Sequence, residues 1–396
     1  MKQLKVLFIS LILLSASVGN SVIAKDFTAQ NDAAIVERLA PRAFTKASAL
    51  AKNAPAIALS ENEAQAAALR WIQLSRRTSD PRYLGRAQSV LAKWWDSSEA
   101  PPNIAVLQAT IEQSRHEFDK AKAILLRVVS KAPNQSQAWL TLATLERLSA
   151  NYPAAMEACG QVTRAGDTFY GQACQFETQS LQGDFAAARA GFNQLLGKKT
   201  GASLVRPISA ADQSWLWSLQ AENDERAGQE VSALKAYSIS LALAEDGYTR
   251  LAYADNLLRL SKPDQALKVL VNQPESDAVL LRLAFAKKLT GDASWQTLNQ
   301  QLKERFAALK ARGEETRLHA RELALAALWL DEKYPAAAAL AMINLQLQKE
   351  PFDWWLALHS SQKAGLNDQV SKLKDSLMRS GLVDQRLSTW QVKVKQ

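Results

Sequence analysis

Two cysteines and three histidines are all that the chain offers for thiol or imidazole chemistry. Cys159 and Cys174 form an even pair, which closes a disulfide in an oxidising compartment or packs as two small buried hydrophobes in a reducing one. His319 and His359 stand isolated, and His116 falls in a turn where a solvated ring is expected. A structural zinc needs about four converging nitrogen or sulfur ligands, and no such set is spaced here, so neither a metal nor a cofactor is expected. No Gly-rich phosphate loop and no Gly-x-Ser-x-Gly elbow occurs. Carboxylates are abundant, but paired acid/base work needs a shaped cleft. The residue inventory therefore points away from an enzyme.

The 396 residues are 47% hydrophobic with only 15 Gly and 12 Pro, enough apolar material for a core and few helix breakers. Residues 1–24 read as a signal peptide. Lys2 and Lys5 precede the apolar run Val6 to Leu14, and Val22-Ile23-Ala24 supplies small-residue cleavage positions before Lys25. No later stretch has 18 uncharged apolar residues, so no transmembrane segment is expected in the mature chain. Loss of Lys2 and Lys5 trims the formal charge of +9 by two, and the remaining surplus forms no dense basic cluster. A nucleic-acid partner is not expected from that balance.

The elements that position any site emerge from an internal repeat. His116-Glu117-Phe118-Asp119-Lys120-Ala121, Ala150-Asn151-Tyr152-Pro153-Ala154-Ala155 and Gly183-Asp184-Phe185-Ala186-Ala187-Ala188 align, with their aromatics 34 and 33 residues apart and an alanine three residues after each. Ala109, Pro133, Trp139, Leu142 and Ala143 complete the pattern. It resembles the tetratricopeptide repeat, a helix–turn–helix unit of about 34 residues, here of the exported bacterial type. Weaker units follow through Trp217 and Ala233, Ala254 and Ala266, Leu280 and Gly291, Tyr334 and Ala337, and Trp354-Trp355 and Gly365. One second helix is expected to be overlong, from about Trp295 to Ala311, with a helix Leu318–Leu330 after Gly313.

The resemblance implies an all-α, right-handed α-solenoid of stacked antiparallel helix pairs. The organisation expected is a signal peptide at 1–24, an N-terminal helical cap at 25–63, and repeats at 64–197. A loop or module break at 198–212, more degenerate repeats at 213–384 and a loose tail at 385–396 complete it. Cys159 would lie on a second helix and Cys174 on the next first helix, side by side and within reach of a bridge. Of the eleven tryptophans, Trp139, Trp217 and Trp355 fall at a core position of the repeat. Trp71, Trp94, Trp95 and Trp354 are undecided, since neighbours on a helix point about 100° apart and one member of each Trp pair must turn away from the core.

In such proteins the first helices line a concave, peptide-binding face. Carried over by position, that face would present Thr110, Gln113, Thr144, Arg147, Glu177, Glu222, Glu225, Asp255 and Arg259. The Lys, Asn and Arg set that clamps an acidic C-terminus is absent. The resemblance thus implies a non-enzymatic, exported and periplasmic scaffold that binds another envelope protein or peptide. The alternative is an accessory subunit of a secretion, polysaccharide-export or membrane-transport assembly.

Overall fold

The computed structural model describes residues 59–78, 80–197, 208–311, 313 and 315–391. The expected signal peptide, the cap up to residue 58, most of the expected break and residues 392–396 lie outside the described residues. All that follows concerns the compact unit that begins at Leu59.

Helices succeed one another with no strand among the described residues. The pairs are α1 Glu61–Thr78 with α2 Arg82–Val90, α3 Pro102–Ser114 with α4 Phe118–Lys131, and α5 Ser136–Leu148 with α6 Tyr152–Arg164. Next come α7 Thr168–Leu181 with α8 Phe185–Gly197, α9 Ala210–Arg226 with α10 Glu230–Leu243, and α11 Gly247–Arg259 with α12 Pro263–Leu270. The last three are α13 Asp277–Thr290 with α14 Trp295–Ala311, α15 Ala320–Leu325 with α16 Tyr334–Leu347, and α17 Pro351–Lys363 with α18 Asn367–Ser380. Each helix packs on its partner, and each pair packs on the next, which is the stacking of an α-solenoid.

Local sequence explains the boundaries. Pro102, Pro263 and Pro351 open α3, α12 and α17, where a missing N–H costs nothing and the fixed φ suits a helix. Ser209 caps α9 by accepting from the Asp212 amide at 3.1 Å while the Asp212 carboxylate accepts from the Ser209 amide at 3.3 Å. That box starts the helix at Ala210, inside the stretch expected as a break. At the other end of the chain, α1 begins at Glu61, so residues assigned to the cap belong to the first pair. From α3 onward, the turn inside every pair holds one residue in the left-handed region: His116, Ala150, Gly183, Gly228, Ser261, Gly291, Glu332 and Gly365. Glycine is required at Gly183, where φ is 96° and an added Cβ would sit 3.1 Å from Val383.

The small-residue positions behave as close-packing demands. Ala109, Ala121, Ala143, Ala155 and Ala188 are fully buried, whereas Ala154 is only half-buried. Ala155→Leu should therefore cost about 1–3 kcal/mol by forcing methylenes between paired helices. Ala154→Leu should be tolerated much better, because Leu is itself a good helix former. Denaturant titration of the two variants reads this directly, and equal tolerance would refute the register.

Three expectations are corrected. Trp354 (3% exposed) is the core member of its pair and Trp355 is half-buried, the reverse of the repeat-position assignment, while Trp139 and Trp217 are also only half-buried. The helix expected at Leu318–Leu330 is a 3₁₀ turn at Thr316–His319, the short α15 and a π-helical turn at Ala326–Leu330. Residues 385–391 are no loose tail: Leu387 is fully buried and Trp390 nearly so, in a 3₁₀ turn followed by the one-turn α19 Ser388–Gln391. The apolar face of this segment is covered because the C-terminal pairs fold back on the array.

Candidate functional site

The C-terminal pairs meet the first half of the array directly. The Lys349 amide donates to the Leu148 carbonyl at 2.8 Å, and the Val383 amide donates to that of Leu181 at 2.9 Å. Arg317 reaches Glu117 at 3.5 Å, and α11 touches α1. Tyr152 and Leu181 share one apolar cluster with Leu280, Trp354, Leu382 and Leu387. Contacts of this kind leave a central cavity of about 1080 Å³, open in part to solvent and bounded mainly by first helices.

All nine residues carried over by position sit on its wall: Thr110 and Gln113 on α3, Thr144 and Arg147 on α5, Glu177 on α7, Glu222 and Glu225 on α9, and Asp255 and Arg259 on α11. The wall also includes residues that sequence reasoning missed. Gln137 could have been found, since it lies seven positions before Thr144 on the same face of α5. Tyr248 could have been found in the same way, seven positions before Asp255 on α11, whereas Arg321, Trp329, Phe352, Trp355 and Arg386 could not, because they reach the cavity only through the closure.

Charge on the wall is balanced, with eight acidic and eight basic side chains. Its central members neutralise one another: Arg147 with Glu177 at 2.9 Å, Arg226 with Glu222 at 3.3 Å, Arg282 with Asp255 at 2.7 Å, and Arg386 with Glu225 at 2.7 Å. Glu225 also accepts from the Tyr237 hydroxyl at 2.9 Å. Burial raises the Asp255 carboxyl, opposed by Arg282. Burial likewise pushes the Glu222 carboxyl up to about 7, against the pull of Arg226 and aided by Glu177 and Glu350.

A carboxyl raised in the folded state holds a proton that the unfolded chain releases, so its contribution to stability is present at low pH and lost as pH rises towards 7. Glu222 should therefore cost stability at up to about 1.4 kcal/mol per pH unit between roughly pH 5 and 7. Glu222→Gln keeps an oxygen for Arg226 and should flatten that slope in urea titrations at pH 5, 6, 7 and 8. Identical slopes in both proteins would exclude the assignment.

A ring stack forms another part of the wall. Phe285 lies 4.6 Å from Trp329, Phe352 lies 5.4 Å from Trp355, and Trp355 lies 5.0 Å from His359, each pair nearly parallel. The π-helical turn places Trp329 there. The carbonyls it frees at Trp329 and Leu330 are taken by the Lys288 ammonium at 3.0 and 3.1 Å. Burial holds the His359 imidazole below its usual range. His116, expected in solvent, is instead half-buried at the seam among Glu322, Arg321, Glu350 and His319, and burial lowers its pKa too. No group of three or more His, Cys, Asp or Glu among the described residues is arranged to hold a metal ion. No helix among them is long and apolar enough to cross a membrane.

Behind the wall, Cys159 on α6 and Cys174 on α7 are joined in a disulfide with Cα atoms 5.5 Å apart. Both are fully buried, and the Arg147 guanidinium donates to Cys174 Sγ at 3.4 Å. The bridge closes a short loop, so reduction should lower stability by about 3 kcal/mol. Thermal unfolding with and without reductant measures this, and an unchanged midpoint after verified reduction would show that packing alone holds α6 to α7.

No family model and no curated protein sequence matches the chain. Among solved structures it is similar to a tetratricopeptide repeat protein from Parabacteroides merdae, at 13% identity over 66% of this chain and 98% of that one, with a TM-score of 0.38. It is also similar to a human IFIT1 dimer with PPP-AAAA, at 10% identity over 76% and 69% and a TM-score of 0.42. The P58(IPK) TPR domain aligns at 13% identity over 82% and 96%, with a TM-score of 0.24. The architecture rests on the chain's own packing: it is an α-solenoid of stacked antiparallel helix pairs, closed around a central cavity.

Proposed function

We propose that the protein is a non-enzymatic binding scaffold that holds a segment of another protein in its central cavity. The observation that carries this is the convergence of nine side chains from five successive first helices on one cavity wall. With charge balanced around it, the wall lacks the net positive field that a nucleic acid requires. The central carboxylates of the wall are engaged with arginines, an arrangement that suits a binding surface.

We propose further that the scaffold acts after export, in the periplasm. The disulfide fits an oxidising compartment, and the start of the sequence reads as a signal peptide. The test is co-purification from the native host after mild crosslinking, comparing wild type with Ser218→Trp, whose ring would project from α9 into the cavity and obstruct it. A partner captured by the wild type and lost from the folded variant is the expected result. Equal capture by both would move binding to another surface. Mass spectrometry of the same material should find Lys25 at the N-terminus, and a retained Met1 would refute export by cleavage.

A further inference from the structure

We infer that the occupant of the cavity is a short, extended and uncharged stretch of polypeptide, held by its main chain along a strip of amides and hydroxyls and by an aromatic or large apolar side chain against the ring stack. This rests on the reading that the cavity holds a partner segment.

The strip comprises Thr110 and Gln113 on α3, Gln137, Thr141 and Thr144 on α5, and Ser218 on α9, all on the wall. Gln137, Thr141 and Thr144 recur at i, i+4 and i+7, one face of a helix. The hydroxyls of Thr110, Thr141, Thr144 and Ser218 donate back to carbonyls of their own helices at 2.9, 2.8, 3.2 and 2.7 Å. Thr144 Oγ1 also accepts from Arg147 at 3.1 Å and Thr141 Oγ1 from Gln137 at 3.3 Å, so what the four hydroxyls have left is acceptor capacity, two lone pairs on Thr110 and Ser218 and one on Thr141 and Thr144. The Gln113 amide makes no hydrogen bond within the described residues and offers donors as well as an acceptor. The Gln137 amide donates to Thr141 Oγ1 at 3.3 Å, which leaves its own carbonyl oxygen to accept. Neutral donors and acceptors on one wall suit a backbone, which carries one N–H and one C=O per residue.

Charge decides against an ionic occupant. The central ions of the wall are already engaged with one another, so a charge placed among them would lose its water and find each nearby counter-ion already paired. Hydrogen bonding decides against a helical one. A helix pairs its own amides with its own carbonyls and would leave the strip's donors and acceptors unmatched. An extended segment has its amides free to bond, and alternate side chains point to opposite sides. One set can then face the rings of Phe285, Trp329 and Trp355.

The experiment is selection of phage-displayed random octapeptides on the full-length oxidised protein, followed by calorimetry with the selected peptide, acetylated and amidated. Enriched sequences should lack Asp, Glu, Lys and Arg in their shared core and carry an aromatic or large apolar residue there. Methylating the main-chain nitrogens of that core, or placing one Glu or one Lys in it, should weaken binding at least about tenfold. Gln113→Leu and Gln137→Leu should each weaken it about five- to tenfold with an unchanged unfolding midpoint. Enrichment of acidic or basic cores, or undiminished binding of the N-methylated peptide, would overturn the inference while leaving a peptide-binding cavity in place. Failure to enrich any peptide, or enrichment that Ser218→Trp does not abolish, would overturn the cavity reading and the inference with it.

Discussion

Arg386→Ala is expected to destabilise the protein by about 3–5 kcal/mol, although residue 386 lies near the end of the chain. Its guanidinium spans two buried carboxylates, donating to Glu225 Oε1 at 2.7 Å and to Asp384 Oδ2 at 2.6 Å. Asp384 is fully buried and Glu225 nearly so, so removing the cation leaves two negative charges away from water. The loss should be local before it is global. Segment 382–391 would lift from α7 and α9, and hydrogen exchange should show the Val383 amide, bonded to Leu181, losing protection first. Exposed Arg379 supplies the control, and its replacement by Ala should stay within about 0.5 kcal/mol. Salt should scarcely change the Arg386 effect, because buried pairs are poorly screened. Equal, small losses at both positions would mean that the C-terminal segment contributes nothing to closure.

Trp354→Ala should cost about 3–5 kcal/mol, the usual range for emptying a buried aromatic site. Trp354 is 3% exposed, within the cluster that joins Tyr152 and Leu181 to the last three helix pairs. Its loss would weaken the seam as well as α17. Trp355→Ala should cost only about 1–2 kcal/mol, mainly its stacking on Phe352 and His359, since one side of the ring already borders the cavity. Trp355→Ala should also change ligand binding more than stability, and Trp354→Ala the reverse. Paired denaturant titrations decide the matter; a larger stability loss at 355 than at 354 would restore the assignment made from repeat position alone.

That inversion marks where sequence reading ends. Alanines at the tight positions, prolines at helix starts and the 33- to 34-residue spacing of Phe118, Tyr152 and Phe185 are local or nearest-neighbour features. Each is decided by contacts within a pair or with the next pair, so the pattern is written in the residues themselves. The helix pairs, the boundaries of α14 and the placement of Cys159 beside Cys174 were legible for this reason, and the first-helix positions named one face for nine residues.

The cavity was not legible. A small rotation between successive pairs, accumulated over the array, brings Lys349 to Leu148 and Val383 to Leu181. No short window of sequence encodes a sum of rotations. Closure also changes what burial means at the C-terminal end. Residues 385–391 look like a polar tail until Leu181 and Glu225 are placed beside them, and Trp354 becomes core because the returning pairs supply a second apolar surface. From sequence alone came the unit that repeats and the face it presents; the curvature, which only long-range packing decides, turned that face into the wall of a cavity.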